Sequence, residues 1–256
     1  MLTSERAPQW IAAFKKELDT LGSLGVITHL HTREECEDIG VCFTTEKPLS
    51  TLVVNEYKWK TDEHTADNAD HKSRMVVEGQ NMIKGVHFKD SHAHTPKMET
   101  NRIMSALSVL YNLVRKAFDV SSAYCLADQE KPLALRYPRG MPQYDPEGRQ
   151  LFMLLRKNTY GKKDGGNLWQ QARDEFLLTE FNQAGWMCKP MKADPCLFKV
   201  SVGTEFLLVD VHTNDFDLAS AHEAMMDCFI ECVQSRWKIK MTNVGYVLGV
   251  TQTLTV

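Results

Sequence analysis

Two places in this 256-residue chain put polar, chemistry-bearing residues where strand ends would meet. Asp119 sits near the end of the apolar run Ala117-Phe118-Asp119-Val120. The polar stretch His212-Thr213-Asn214-Asp215 interrupts two β-prone runs, 206–211 and 216–219. Carboxylates clustered on adjacent strand ends hold divalent cations, and two ions roughly 3.5–4 Å apart make an oxygen nucleophilic while stabilising a phosphate leaving group. Read alone, Asp119 is a strand-end carboxylate that caps a helix. Asn214, beside Asp215, offers an amide oxygen without charge, whereas hard cations select charged oxygens. A loss of ~3–4 kcal/mol of transition-state stabilisation slows a reaction roughly 10²- to 10³-fold. Asp217, on the same side of a strand as Asp215, and Asp210, on the opposing arm, are the carboxylates placed to substitute in part.

The cations have their own distribution. Residues 131–200 hold 12 Lys+Arg against 7 Asp+Glu and the rest of the chain holds 18 against 26, so the net charge of -3 conceals a basic centre. Arg156, Lys157, Lys162 and Lys163 fall inside it. They would line a phosphate track, which positions a nucleic acid without reading its sequence; an ordinary solvated face has the same composition. Lys72 and Arg74 lie on a strand-like run, Arg being suited to bidentate phosphate contact. Their alternative is a solvated strand edge. Seven scattered cysteines with no Cys-x-x-Cys pair read as reduced thiols of an intracellular protein, in cytoplasm or nucleus. His29, His31 and Cys36, or His92 with His94, fall short of a four-ligand zinc set. No stretch approaches the ~20 apolar residues of a membrane span, and the first ten residues carry no secretory signal.

The elements that must position these residues follow from periodicity. Pro8, then Trp10, Ile11, Phe14, Leu18 and Leu21 before Gly22, predict an opening helix. Short β-prone pieces at 51–54 and 74–77 flank a polar run, 61–70, that reads as a loop or hairpin tip. Ile103, Leu107, Leu110, Val114 and Ala117 recur at helical spacing, with Thr100 as cap. A strand at 151–155, a turn at 160–166 and a helix with Leu168, Trp169, Ala172, Phe176 and Phe181 inward end at Gly185. The 206–219 region is a hairpin turning at Asn214 and Asp215. Ser220 with Glu223 has capping-box spacing for a helix carrying Met226, Phe229 and Val233. Trp237, Ile239 and Met241 alternate with lysines as a strand, and residues 246–250 form another. The result is an α+β fold, an antiparallel split βαβ sheet backed by helices.

Six ordered motifs carry a family resemblance. They are Pro8-Gln9-Trp10-Ile11 with Glu17-Leu18; Lys72-Ser73-Arg74-Met75-Val76-Val77-Glu78-Gly79 running on to His94-Thr95-Pro96; Phe118-Asp119-Val120-Ser121-Ser122-Ala123-Tyr124; Leu155-Arg156-Lys157 with Tyr160-Gly161-Lys162-Lys163 and Trp169; Asp194-Pro195-Cys196-Leu197-Phe198; and Gly245-Tyr246-Val247-Leu248-Gly249-Val250. In that order the chain resembles the reverse transcriptase domain of copia-type long terminal repeat retrotransposons.

The resemblance implies a polymerase fingers-palm fold, with a fingers-like region at 1–98, a palm-like region at 99–256 and residues 131–166 as a candidate fingers insertion. It places the chain end just after the palm, leaving out thumb and ribonuclease H. It implies Asp119, Asn214 and Asp215 as catalytic residues, and Mg²⁺ or Mn²⁺ held by Asp119, Asp215 and the Val120 carbonyl. Lys72 and Arg74 would hold the deoxynucleotide triphosphate, Tyr124 would exclude a 2′-hydroxyl, and Gly161 would let a template base approach or serve as a turn glycine. The partners implied are an RNA or DNA template-primer and deoxynucleotides. Asn214 stands where the family has the first Asp of its pair, so the expectation is an impaired polymerase. The alternative is a non-enzymatic descendant that binds protein or nucleic acid within a larger assembly.

Overall fold

The computed structural model describes residues 6–59, 69–244, 246–247 and 250–251. In chain order its elements are α1 (Ala7–Ser23), β1 (Ile27–His31), α2 (Arg33–Asp38), β2 (Thr51–Trp59), β3 (Ala69–Val77), α3 (Met98–Leu110), β4 (Val114–Val120), β5 (Asp128–Leu135), β6 (Phe152–Lys157), α4 (Gly165–Gln183), β7 (Met187–Pro190), β8 (Leu197–Val202), β9 (Glu205–His212), β10 (Asp215–Ser220), α5 (Glu223–Arg236), β11 (Ile239–Thr242), β12 (Tyr246–Val247) and β13 (Val250–Thr251). Helices mix with antiparallel sheets, as the patterning predicts. The chain divides into two compact units: Met1–His92 with Tyr124–Trp169, and Ala93–Ala123 with Gln170–Val256.

In the first unit, β1, β6 and β5 form one sheet, and β2 pairs with β3 as a hairpin in register from Thr51↔Val77 to Trp59↔Ala69. The polar run expected to form its tip lies mostly outside the described residues. Pro8 sits in the first turn of α1, as expected, but the helix runs through Gly22. Gly25, at φ 67, is the residue that stops it. Val26 N–H reaches the Leu21 carbonyl and Gly25 N–H the Gly22 carbonyl, a Schellman closure that needs a left-handed residue at this position. The apolar face of α1 joins a core built from Phe14, Leu21, Ile27, Met75, Val77, Met153 and Leu155.

The second unit is ordered around a six-stranded antiparallel sheet, β11-β4-β10-β9-β8-β7. Phe118 and Phe216 face each other across β4 and β10, stacked 4.7 Å apart. Phe229 of α5 stacks on Phe181 of α4 at 4.7 Å, and Trp237 packs on Phe176. α5 forms where a helix was predicted but starts later, at Glu223 with His222 as its cap and without the Ser220–Glu223 box: Ser220 ends β10, where its hydroxyl donates to the Phe206 carbonyl and accepts from His222 N–H. Along β11 the alternation is weaker than expected, since Met241 is largely exposed.

α3 departs most from its sequence pattern. Its buried residues are Thr100, Asn101, Met104 and Ser108, whereas Ile103 and Leu110 are 59% and 72% exposed. The 4-3-4-3 spacing suggests one helix running into Ala117. Instead Asn112, at φ 49, breaks the run, with Leu113 N–H on the Ser108 carbonyl and Asn112 N–H on the Val109 carbonyl. That is again a Schellman end, here using Asn, which tolerates the left-handed region. Val114 and Ala117 therefore belong to β4. The buried face is polar because it meets buried acids: Thr100 Oγ donates to Asp194 at 2.6 Å, and Asn101 lies beside Asp210, whose pKa it lowers. Thr100 is thus inside the helix, not its cap, which is Lys97.

Candidate active site

The end of β4 and the β9–β10 turn are joined by backbone register. Asp119 lies opposite Asp215 on β10 and opposite Lys240 on β11, and Val120 N–H donates to the Asn214 carbonyl at 2.8 Å. The turn residues proper are Thr213 and Asn214, because Asp215 already pairs with His212 as the first residue of β10. Thr213 takes φ 58. A β-branched residue there is strained, and such strain persists only where surrounding pairing over-determines it. The predicted trio of Asp119, Asn214 and Asp215 is thus brought together with the Val120 carbonyl.

The chemistry of that cluster differs from a paired-ion site. Asn214 Nδ2 donates to Asp119 Oδ1 and lies 3.4 Å from the Val120 carbonyl oxygen. Both acceptors were expected to face a cation, and an amide N–H now satisfies them. Partial desolvation and the neighbouring charge of Asp119 raise the pKa of Asp215, with His212 opposing. The first is the cost of burying a charge and the second the repulsion of a like charge across the strands. No cluster of three or more His, Cys, Asp or Glu arranged to hold a metal occurs among the described residues. Two carboxylates, one of them accepting from an amide, supply too few charged oxygens for a pair of hard cations, which need them on several sides.

Neither substitute carboxylate is available. Asp217 is buried and ion-paired with Arg115, whose Nε lies 3.2 Å from Asp217 Oδ1 and whose Nη1 bonds Ser105 Oγ. Asp210 faces Asp217 across the hairpin. Burial, Asp217 and Asp194 together push its pKa up to about 7. Sequence reasoning missed Arg115. Its position two residues before Ala117 and four before Asp119 on one strand face was the available signal.

The other expected site residues lie in the first unit. Arg74 Nη1 pairs with Glu56 at 3.0 Å, and its guanidinium lies over the Tyr160 ring. Lys72 faces Glu56 in register, and its pKa is lowered by desolvation and by the charges of Arg74 and Lys58. Glu56 was not anticipated, though an acid opposite a base is what paired strands favour. Tyr124 packs edge-on against Tyr160, with ring centroids 6.2 Å apart. Gly161 takes φ 84, and a Cβ there would lie 2.2 Å from the Val77 carbonyl oxygen. Its turn role is therefore filled by close approach to β3, and Gly79 packs equally tightly on its carbonyl. Lys162 Nζ is hydrogen-bonded to Gln129 and paired with Asp164 Oδ1, its pKa lowered by burial. Lys163 Nζ donates to the Met82 carbonyl at 3.0 Å. Both ammonium groups are engaged by protein partners, unlike the open phosphate contacts expected. Arg156 is exposed and Lys157 half-buried at the end of β6.

Residues 44–253 match the family model for reverse transcriptase (RNA-dependent DNA polymerase). Among curated proteins, the chain is similar to the retrovirus-related Pol polyprotein from transposon TNT 1-94 of Nicotiana tabacum, 24% identical over 147 residues covering 57% of this chain and 10% of that protein. It is also similar to the transposon Ty1-DR4 Gag-Pol polyprotein of Saccharomyces cerevisiae, 27% identical over 180 residues covering 68% of this chain and 10% of that protein. The chain thus corresponds to about a tenth of the length of these relatives. With the motif order, the antiparallel sheet and most of the chain matched, the protein belongs to the reverse transcriptase family as a copia-type domain of retrotransposon origin.

Proposed function

We propose that this chain is the fingers and palm of a copia-type reverse transcriptase that keeps a nucleic-acid-binding framework but has lost polymerisation at Asn214. The first unit is the fingers in this reading, and the second is the palm. One observation carries it: Asn214 Nδ2 donates to Asp119 Oδ1 and approaches the Val120 carbonyl, so a neutral amide answers the groups that a cation would otherwise need. With Asp217 held by Arg115, no nearby carboxylate restores the missing charge. The polymer partners are an RNA or DNA template-primer, contacted by Arg156, Lys157 and the basic centre of the chain. Arg74 meets triphosphate only if Glu56 releases it, with Lys72 on the same strand beside it. Tyr124 supplies an aromatic face for a sugar.

The same observation favours a non-enzymatic binding subunit over an active enzyme, since nothing in the amide arrangement impairs binding. Primer extension on a primed RNA template with deoxynucleotides and Mg²⁺ or Mn²⁺ tests the reading. The chain should extend nothing measurable, and Asn214→Asp should gain activity by about 10² or more, as expected for restoring ~3 kcal/mol of transition-state stabilisation. Extension by the unaltered chain at the rate of the variant would reject it.

A further inference from the structure

The first unit contains a cavity of about 540 Å³ that the catalytic reading does not use. Three segments build it. A capping box, with Thr32 N–H on Glu35 Oε2 and Glu35 N–H on Thr32 Oγ1, fixes the start of α2 and the exit of Arg33. Leu49 N–H bonds the Ala134 carbonyl and Arg136 N–H the Leu49 carbonyl, which draws Lys47 beside Arg136. Leu151 N–H on the Gln143 carbonyl closes the loop that carries Arg149.

The wall is basic and partly aromatic: Arg33, Lys47, Arg136 and Arg149 face a single acid, Glu34. Arg33 is held by Glu37 at 2.8 Å and lies over the Phe43 ring at 5.3 Å. Arg149 is held by Asp145 at 2.6 Å and is thereby oriented. Lys47 and Arg136 form no ion pair among the described residues, so the wall holds two cations without a direct carboxylate partner. Phe43 and Phe152 meet edge-on at 5.0 Å and form its apolar side. A cavity of this volume falls within the usual range for small-ligand sites, roughly 300–1,000 Å³. Cations beside an aromatic surface are what a nucleotide needs: the phosphate meets the charges and the base meets a ring or a guanidinium plane.

We propose that this cavity seats one nucleotide of a single-stranded polynucleotide, its phosphate on Lys47 and Arg136 and its base against Phe43 and Arg33. The site rests on the nucleic-acid reading of the chain but not on the fate of Asn214. Its two supporting walls belong to one unit, and neither uses a residue assigned to catalysis.

The test is fluorescence anisotropy of a labelled 12-nucleotide single-stranded RNA with the full chain, as a function of salt. Lys47→Glu with Arg136→Glu should weaken binding about tenfold or more and flatten the log affinity against log salt slope by about 1.4, the value for two phosphate contacts on a single strand. Phe43→Ala should weaken it about fivefold or more without changing the slope, since base stacking on one aromatic is worth that much. Circular dichroism verifies that the variants are folded, and Lys47→Met with Arg136→Met provides a second pair without charge reversal. Unchanged affinity and slope in both pairs would overturn the proposal. Capture of adenosine triphosphate in the cavity, with polynucleotide affinity insensitive to all of these variants, would also overturn it in favour of a free-nucleotide site. Absence of RNA binding by the unaltered chain would remove the underlying nucleic-acid reading as well, whereas loss of the Lys47 and Arg136 dependence alone removes only the cavity.

Discussion

At the scale of single residues, the buried acids of the second unit set the energetics around the candidate site. Asp210 has 3% of its surface exposed and a pKa of about 7, raised first by burial and then by Asp217 and Asp194. A folded-state value above the unfolded one means that the native protein binds the extra proton between roughly pH 4 and 7. Its ionisation then opposes folding: the cost is absent below about pH 4, grows through that window and is complete above pH 7. Asp210→Asn should therefore raise stability at pH 8 by on the order of 2 kcal/mol and change it little at pH 4. Denaturant titrations at both pH values check this, and an equal effect at both would show that Asp210 is not the titrating group. The strand-end and turn positions of Asp119, Asn214 and Asp215 were legible from spacing, and their grouping as a site from the family resemblance. The amide hydrogen bond to Asp119 and the Arg115 lock on Asp217 were not, because both depend on which residues register places opposite one another.

Elements show where periodicity sufficed and where it failed. α1, α4, α5 and the β9–β10 hairpin follow their patterns because each apolar face meets an apolar partner, as Phe229 meets Phe181. α3 inverts its pattern because buried Asp194 takes a donor from Thr100 and the polar Asn101 lies beside buried Asp210, and a buried carboxylate without polar neighbours costs more than an exposed isoleucine. The stop at Asn112 was written in the sequence but reads as an ordinary polar residue unless a left-handed end is sought. A pair of substitutions separates the two readings. Ile103→Ser and Leu110→Ser should each change stability by about 0.5 kcal/mol or less, as exposed positions do, while Met104→Ala should cost about 2–5 kcal/mol. Thermal or urea unfolding distinguishes them, and a large loss from Ile103→Ser would restore the outward face of α3 as core.

For the whole molecule, composition gave the right class and concealed the right charge distribution. A net charge of -3 argues against nucleic acid, whereas the local excess over 131–200 and the cavity with Lys47 and Arg136 argue for it. The ordered motifs identified the family before any coordinate, because each is short and local; the match over residues 44–253 agrees with them. The proposed loss of catalysis rests on one side chain, Asn214, in the β9–β10 turn. That can be measured without a polymerase assay, by titrating Mn²⁺ into the full chain and into Asn214→Asp and following the free ion by electron paramagnetic resonance. The amide reading predicts weak or no uptake by the unaltered chain at millimolar Mn²⁺ and an at least tenfold gain in affinity in the variant, about 1.4 kcal/mol, a modest part of what a charged oxygen contributes to a hard cation. Two tightly held Mn²⁺ ions per unaltered chain, with no gain in the variant, would contradict it.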